Sequence, residues 1–198
     1  MIKIAVLVSG GGTNLQALID SKREGKFANA ELSLVISSRA GTKALERAEK
    51  AGIKNITIER KKYEDLPEYD RAIAKALSEN KIDLVVLAGF LSVLGPGVLE
   101  SYKNRIINVH PSLIPSFCGK GFYGLRVHKA VLERGVKVTG ATVHFVNEII
   151  DGGKIILQKA IDVLPQDSAE ILQKRVMQEG EWVLLSEAIE MFCKGEIT

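Results

Sequence analysis

The mainly apolar run from Lys3 to Ser9 enters Gly10-Gly11-Gly12, after which Leu15, Leu18 and Ile19 recur at helical spacing. A buried strand, a glycine turn and an amphipathic helix in that order call for a crossover to a parallel neighbour. The pattern then repeats. Leu32 to Ile36 reads as a second strand, Thr42 to Ala51 as a helix and Asn55 to Ile58 as a third strand. Tyr69, Ile73, Ala76 and Leu77 form the apolar stripe of another helix, and Leu84 to Ala88 is a continuous apolar run suited to a central strand covered on both sides. The expectation is an α/β fold, an open and mostly parallel sheet with helices on both faces. Thr139 to Val146 alternates, with Thr142, His144 and Val146 on one face. Lys154 to Val163 follows Gly152-Gly153, so a hairpin of later, antiparallel strands should close the sheet. A long helix is expected from about Ser168.

The glycine turn is the first candidate site. Glycines let a ligand approach the backbone closely, and the free amides and dipole of a helix start favour an anion. Gly11, Gly12, Thr13 and Asn14 therefore read as a phosphate cradle. The turn lacks the Gly-Lys-Ser/Thr ending of a P-loop. In a Rossmann-like sheet Gly10-x-Gly12 would suit a dinucleotide, but Leu15 stands where a third glycine belongs and no acidic residue ends the next strand. A nicotinamide-dependent oxidoreductase is the rival reading, with Arg39 as the residue in its favour.

The second candidate is Arg105-Ile-Ile-Asn-Val-His-Pro111. Ile106, Ile107 and Val109 read as a buried strand that stops at His110, because Pro111 cannot donate to a sheet ladder. Strand side chains alternate, so Asn108 and His110 share a face, and the proline restricts the backbone of His110. At the carboxyl end of a parallel strand this pair would lie where open α/β sheets bind ligands. Close by, Gly89 to Leu94 follows the central strand, with Phe90, Val93 and Leu94 as either slot or core, before Gly95-Pro-Gly97 turns into a short helix. Ser116 to Gly124, with Gly119, Gly121 and Gly124, reads as a mobile cover leading into a helix from Val127 to Arg134. Farther on, Val176, Glu179 and Val183 share one face of an ideal helix, which puts a carboxylate on an apolar stripe. Gly180 beside them implies a close approach.

At 198 residues the chain is expected to be one domain over 1–198, able to bury roughly 70% of its unfolded surface. No apolar run approaches the ~18 residues of a membrane span, and the N-terminus lacks a cleavage site, so a cytoplasmic protein is expected. Cys118 and Cys193 are far apart and no Cys/His spacing suits zinc, so no metal is expected. A net charge of +3 is too small and too evenly spread to make nucleic acid the partner, and suits a small anionic substrate.

Asn108-Val-His110 fused to Pro-Ser-Leu-Ile-Pro115, with Asp151-Gly152 downstream, closely resembles the folate-dependent formyltransferases. Ser9-Gly-Gly-Gly-Thr-Asn-Leu-Gln16 and the chain length look like the branch that acts on glycinamide ribonucleotide in purine synthesis. A methionyl-tRNA or sugar-amine acceptor is the alternative. The resemblance implies 10-formyltetrahydrofolate as co-substrate, small-molecule partners and a monomer or homodimer. It assigns catalysis to Asn108, His110 and Asp151, the ribose hydroxyls to Glu179, and the folate cleft to Gly89, Phe90, Leu91, Ser92, Val93, Leu94, Asn147, Glu148, Ile149 and Ile150. Ser92 departs from members with an arginine there. In such chemistry an oxyanion forms on the formyl group, to be met by the Asn108 amide and a protonated His110. Asp151 would favour that imidazolium by its charge and accept a proton from the attacking amine.

Overall fold

Ile4, Val6 and Val8 turn to one side of the first strand and Ala5 and Leu7 to the other, and all are fully buried. A strand with two apolar faces needs cover on both, and the rest of the fold supplies it. The computed structural model describes residues 1–197. Its strands are β1 (Ile2–Val8), β2 (Ala30–Ser37), β3 (Asn55–Thr57), β4 (Leu84–Leu87), β5 (Ile106–His110), β6 (Val138–Phe145) and β7 (Ile155–Asp162). They form one sheet in the order β3-β2-β1-β4-β5-β6-β7. The first five are mutually parallel, while β6 runs antiparallel to both β5 and β7. The expected class is thus observed, with the strand limits shifted by a residue or two from those read in the sequence.

Helices α1 (Thr13–Arg23), α2 (Lys43–Lys50), α3 (Leu66–Glu79), α4 (Pro96–Ser101), α5 (Leu125–Arg134), α6 (Ala169–Arg175) and α7 (Trp182–Cys193) surround the sheet. Tyr69, Ile73 and Leu77 of α3 and Val98 of α4 pack on the Ala5/Leu7 face. Leu15 and Leu18 of α1, Val131 of α5, Leu172 of α6 and Leu185 and Ile189 of α7 pack on the other. Ala44 and Ala48 bring α2 into the same cluster.

The strand order reverses between β1 and β4, which leaves a crevice above their carboxyl ends. Ser9 bridges it. Its hydroxyl accepts the Leu91 N–H at 2.8 Å and lies 2.6 Å from the hydroxyl of Ser38, joining the ends of β1, β2 and β4. Behind it the buried Asp70 carboxylate accepts Gly95 N–H at 2.7 Å and Val98 N–H at 3.1 Å, which caps α4 and fixes the segment leading out of Gly89 to Leu94.

The long C-terminal helix expected from about Ser168 is present from Ala169 to Cys193, but it is not regular throughout. Between α6 and α7, residues Val176–Glu181 form a π-helical turn. Five residues of α-helix advance about 500°, roughly 140° beyond a full turn, so Val176 and Glu181 would point apart. Hydrogen bonds that reach one residue farther widen the turn and bring them toward the same side, and both are buried. Glu179 and Val183 are exposed instead, so the apolar stripe drawn through them does not exist. The close approach expected at Gly180 does exist, because a Cβ there would lie 2.9 Å from the Ala141 Cβ on β6.

Candidate active site

Asn108 and His110 do share a face of β5, opposite Ile107 and Val109, which belong to the core on the other side. Antiparallel pairing sets His144 of β6 across from Asn108 and Thr142 across from His110. Side chains directly opposite each other meet, and the Asn108 Nδ2 lies 3.1 Å from the His144 Nε2. The His144 Nδ1 lies 2.8 Å from the carbonyl oxygen of Phe145. A carbonyl only accepts, so that ring nitrogen carries the hydrogen, and Nε2 accepts from the Asn108 amide. One of the two Asn108 amide hydrogens is thereby used and the amide is oriented, with the other left for a ligand.

The connection from β6 to β7 starts beside Ile106, whose carbonyl accepts the Val146 N–H at 2.9 Å, and folds back over the sheet. Asp151, held at a φ of 55°, places Oδ2 3.6 Å from the His110 Nδ1 and Oδ1 3.7 Å from the His144 Nε2. The N–H of Gly119 donates to Oδ2 at 2.8 Å. The segment after Pro111 also reaches the other side of His110, because the ring Nε2 donates to the Phe117 carbonyl at 2.9 Å. Asn108, His110 and Asp151 are thus brought together from β5 and a distant turn, covered by the Ser116 to Gly124 loop. His144 is the member missing from the sequence-based set. Its signal was present, since Thr142 and His144 alternate on one face, but only the β5–β6 register shows what they face.

Charge in this cluster is set by burial acting against the neighbouring groups. Burial holds the His110 pKa below its ordinary value, and neither Asp151 nor the Phe117 carbonyl restores it. In the absence of ligand, burial thus favours the neutral ring, opposed by the Asp151 charge. Burial also works against the Asp151 carboxylate, but its pKa is held below the usual value, with the Gly119 N–H donating to Oδ2. Asp151 is ionised and able to accept a proton.

The glycine turn lies at the neighbouring end of β1. Gly12 takes the left-handed conformation at φ 69° and caps α1. Among the described residues, no protein acceptor bonds the N–H groups of Gly11, Gly12, Thr13 or Asn14. Gly11 and Thr13 are exposed, whereas Asn14 is buried and donates its side-chain amide to Glu181 Oε2 at 2.8 Å. Glu181 is thus a carboxylate beside this turn, and Glu179, two residues earlier in the same π-helical turn, is exposed. Burial pushes the Glu181 pKa up to about 7, against the lowering effect of Asn14.

The two segments expected to form a cleft are apolar and open. Leu91, Val93, Ile149 and Ile150 are large exposed hydrophobic residues, while Leu94 is buried. Phe90 and Val146 both pack against the core cluster on the Ala5/Leu7 face of the sheet, which puts the 89–94 segment and the start of the 147–150 turn on that face. Ser92 and Asn147 are half-buried and Gly89 and Glu148 exposed. Among the described residues no cluster of His, Cys, Asp or Glu suits a metal, and no helix is long and apolar enough to cross a membrane.

Residues 2–189 match the formyl transferase family. Phosphoribosylglycinamide formyltransferase of Haemophilus influenzae is 39% identical over 197 residues, covering 100% of this chain and 90% of that protein. The trifunctional purine biosynthetic protein adenosine-3 of Homo sapiens is 42% identical over 98% of this chain, which spans only 19% of that longer protein. The crystal structure of glycinamide ribonucleotide transformylase 1 from Symbiobacterium toebii superposes with a TM-score of 0.92 at 43% identity, covering 98% of this chain and 89% of that one. These likenesses leave the nicotinamide-dependent oxidoreductase without support.

Proposed function

The chain belongs to the formyl transferase family, and we propose that it transfers the formyl group of 10-formyltetrahydrofolate to the amino group of glycinamide ribonucleotide in purine biosynthesis. The observation that carries this reading is the meeting of Asn108, His110, His144 and Asp151 beside the sheet crevice, with a glycine turn at the end of β1, across β4 from β5. The chain acts as a single domain on small molecules in the cytoplasm, as a monomer or homodimer. Neither nucleic acid nor a membrane is a partner.

In this reading the amides of Gly11 to Asn14 hold the substrate phosphate, the exposed Glu179 accepts from the ribose hydroxyls, and the buried Glu181 holds the Asn14 side chain beside the turn. Leu91, Val93, Ile149 and Ile150 give the flat folate ring an apolar bed, with Phe90 and Asn147 at its base. The amine attacks the formyl carbon, and negative charge grows on the formyl oxygen. The second Asn108 amide hydrogen meets that charge. His110 joins it when the Phe117 carbonyl releases the Nε2 hydrogen, and the growing charge favours the imidazolium, whose Nδ1 hydrogen then faces Asp151. Asp151 takes the proton lost by the amine, directly or through water, and the folate nitrogen gains one as it leaves. Amine and donor react directly, with no formylated residue and no metal.

The deciding experiment offers 10-formyltetrahydrofolate with glycinamide ribonucleotide and, separately, with methionyl-tRNA. Formyl transfer to the ribonucleotide alone is expected. Transfer to the tRNA-bound methionine, or to neither acceptor, would overturn the assignment.

A further inference from the structure

We propose that Arg47, on α2, is a positioning residue that aims the amides of the phosphate-binding turn without touching the phosphate. The inference rests on the reading of Gly11 to Asn14 given above. The turn is fastened to α2 at consecutive points. The Gly10 carbonyl accepts the Ala44 N–H at 3.2 Å, and the Gly11 carbonyl accepts the Arg47 Nε–H at 3.0 Å. Between them Gly12 is seated so closely on α2 that a Cβ would lie 2.7 Å from the Ala44 Cβ.

In a trans peptide the C=O and the following N–H point in opposite directions. Drawing the Gly10 and Gly11 carbonyls toward α2 therefore turns the N–H groups of Gly11 and Gly12 away from it, to the open side of the turn. Glycine peptides rotate easily, so without this fastening the two amides would spread over many directions. The Arg47 guanidinium is itself fixed at a second point, because Nη1 donates to Gln16 Oε1 at 2.9 Å. Its planar fork thus ties the turn to the first turns of α1. A lysine has the charge but not the fork, and cannot make both bonds from one rigid group.

The test uses the whole chain with two readouts. Inorganic phosphate is titrated while the amide NMR signals of Gly11 to Asn14 are followed, and turnover is measured with glycinamide ribonucleotide and with its dephosphorylated riboside. Arg47→Met should weaken phosphate binding and raise the ribonucleotide KM on the order of 10-fold, as for one lost charged hydrogen bond. The kcat, the folate KM and the kcat/KM for the riboside should change by less than about twofold, since only binding of the phosphate is affected. Arg47→Lys should resemble Arg47→Met, and Gln16→Leu, which leaves Arg47 in place, should give a smaller loss of the same kind. Recovery to wild-type values in Arg47→Lys would show that charge alone matters and overturn the proposal. So would an unchanged phosphate affinity in Arg47→Met and Gln16→Leu. A wild-type chain that forms no product from the ribonucleotide, but whose phosphate response depends on Arg47, would overturn the substrate assignment and leave the positioning role standing.

Discussion

The side-chain amide of Asn14 donates to Glu181 Oε2 across 2.8 Å, joining the start of α1 to the π-helical turn ahead of α7. The bond leaves a carboxylate buried beside the phosphate turn with its pKa pushed up to about 7 by burial.

Glu181 should make stability depend on pH. Its folded pKa is about 7, above the ordinary value of 4.5, so well below pH 4.5 it is protonated in both states and costs nothing. Between those values the unfolded chain releases the proton while the folded one keeps it, and stability falls as pH rises, by roughly 3 kcal/mol in all. Glu181→Gln removes this loss. Its melting temperature should exceed that of the wild type at pH 8, with the difference vanishing at pH 4. An equal difference at both pH values would refute the account.

Asn108→Ala should lower kcat on the order of 100-fold to 1000-fold, as for one oxyanion donor, with the ribonucleotide KM nearly unchanged. Steady-state kinetics decide this, and a loss confined to KM would remove Asn108 from the chemistry.

Asp151→Asn should lower the His110 pKa further, because the Asp151 charge is what opposes burial of the ring. Most turnover should vanish while both substrates still bind. An NMR titration of the His110 ring that matches the wild type would show that Asp151 is a turn residue only.

Loss of the His110 hydrogen bond to the Phe117 carbonyl is part of the proposed reaction. Amides from Ser116 to Gly124 should therefore exchange faster than those of β5 in the free protein and slow when both ligands bind. Hydrogen exchange measures this directly, and a loop as protected as the sheet in both states would contradict it.

Much of this site was legible before any coordinates. Strand periodicity and Pro111 put Asn108 and His110 on one face, and Gly10-Gly11-Gly12 ahead of Leu15 marked the anion turn, since each is a local property of the backbone. What escaped depends on the assembled fold. His144 gains its meaning from the β5–β6 register, and the pairing of Asn14 with Glu181 from two distant helices. The lowered pKa of His110 follows from burial, which a sequence does not display. The wider turn at Val176–Glu181, which buries Val176 and Glu181 together and leaves Glu179 exposed, is likewise invisible to ordinary helical spacing.

That wider turn separates two demands that an ordinary helix would couple. In a regular helix the direction of a polar side chain near the ligand fixes, by 100° steps, which later residues face the core. Here Glu181 is aimed at Asn14 while Leu184, Leu185, Ala188 and Ile189 keep their places against the sheet. Shortening the turn by one residue would leave a continuous helix able to satisfy one demand at the expense of the other. The surplus residue works as an angular adjustment, through which substrate recognition and core packing can drift independently as the sequence changes.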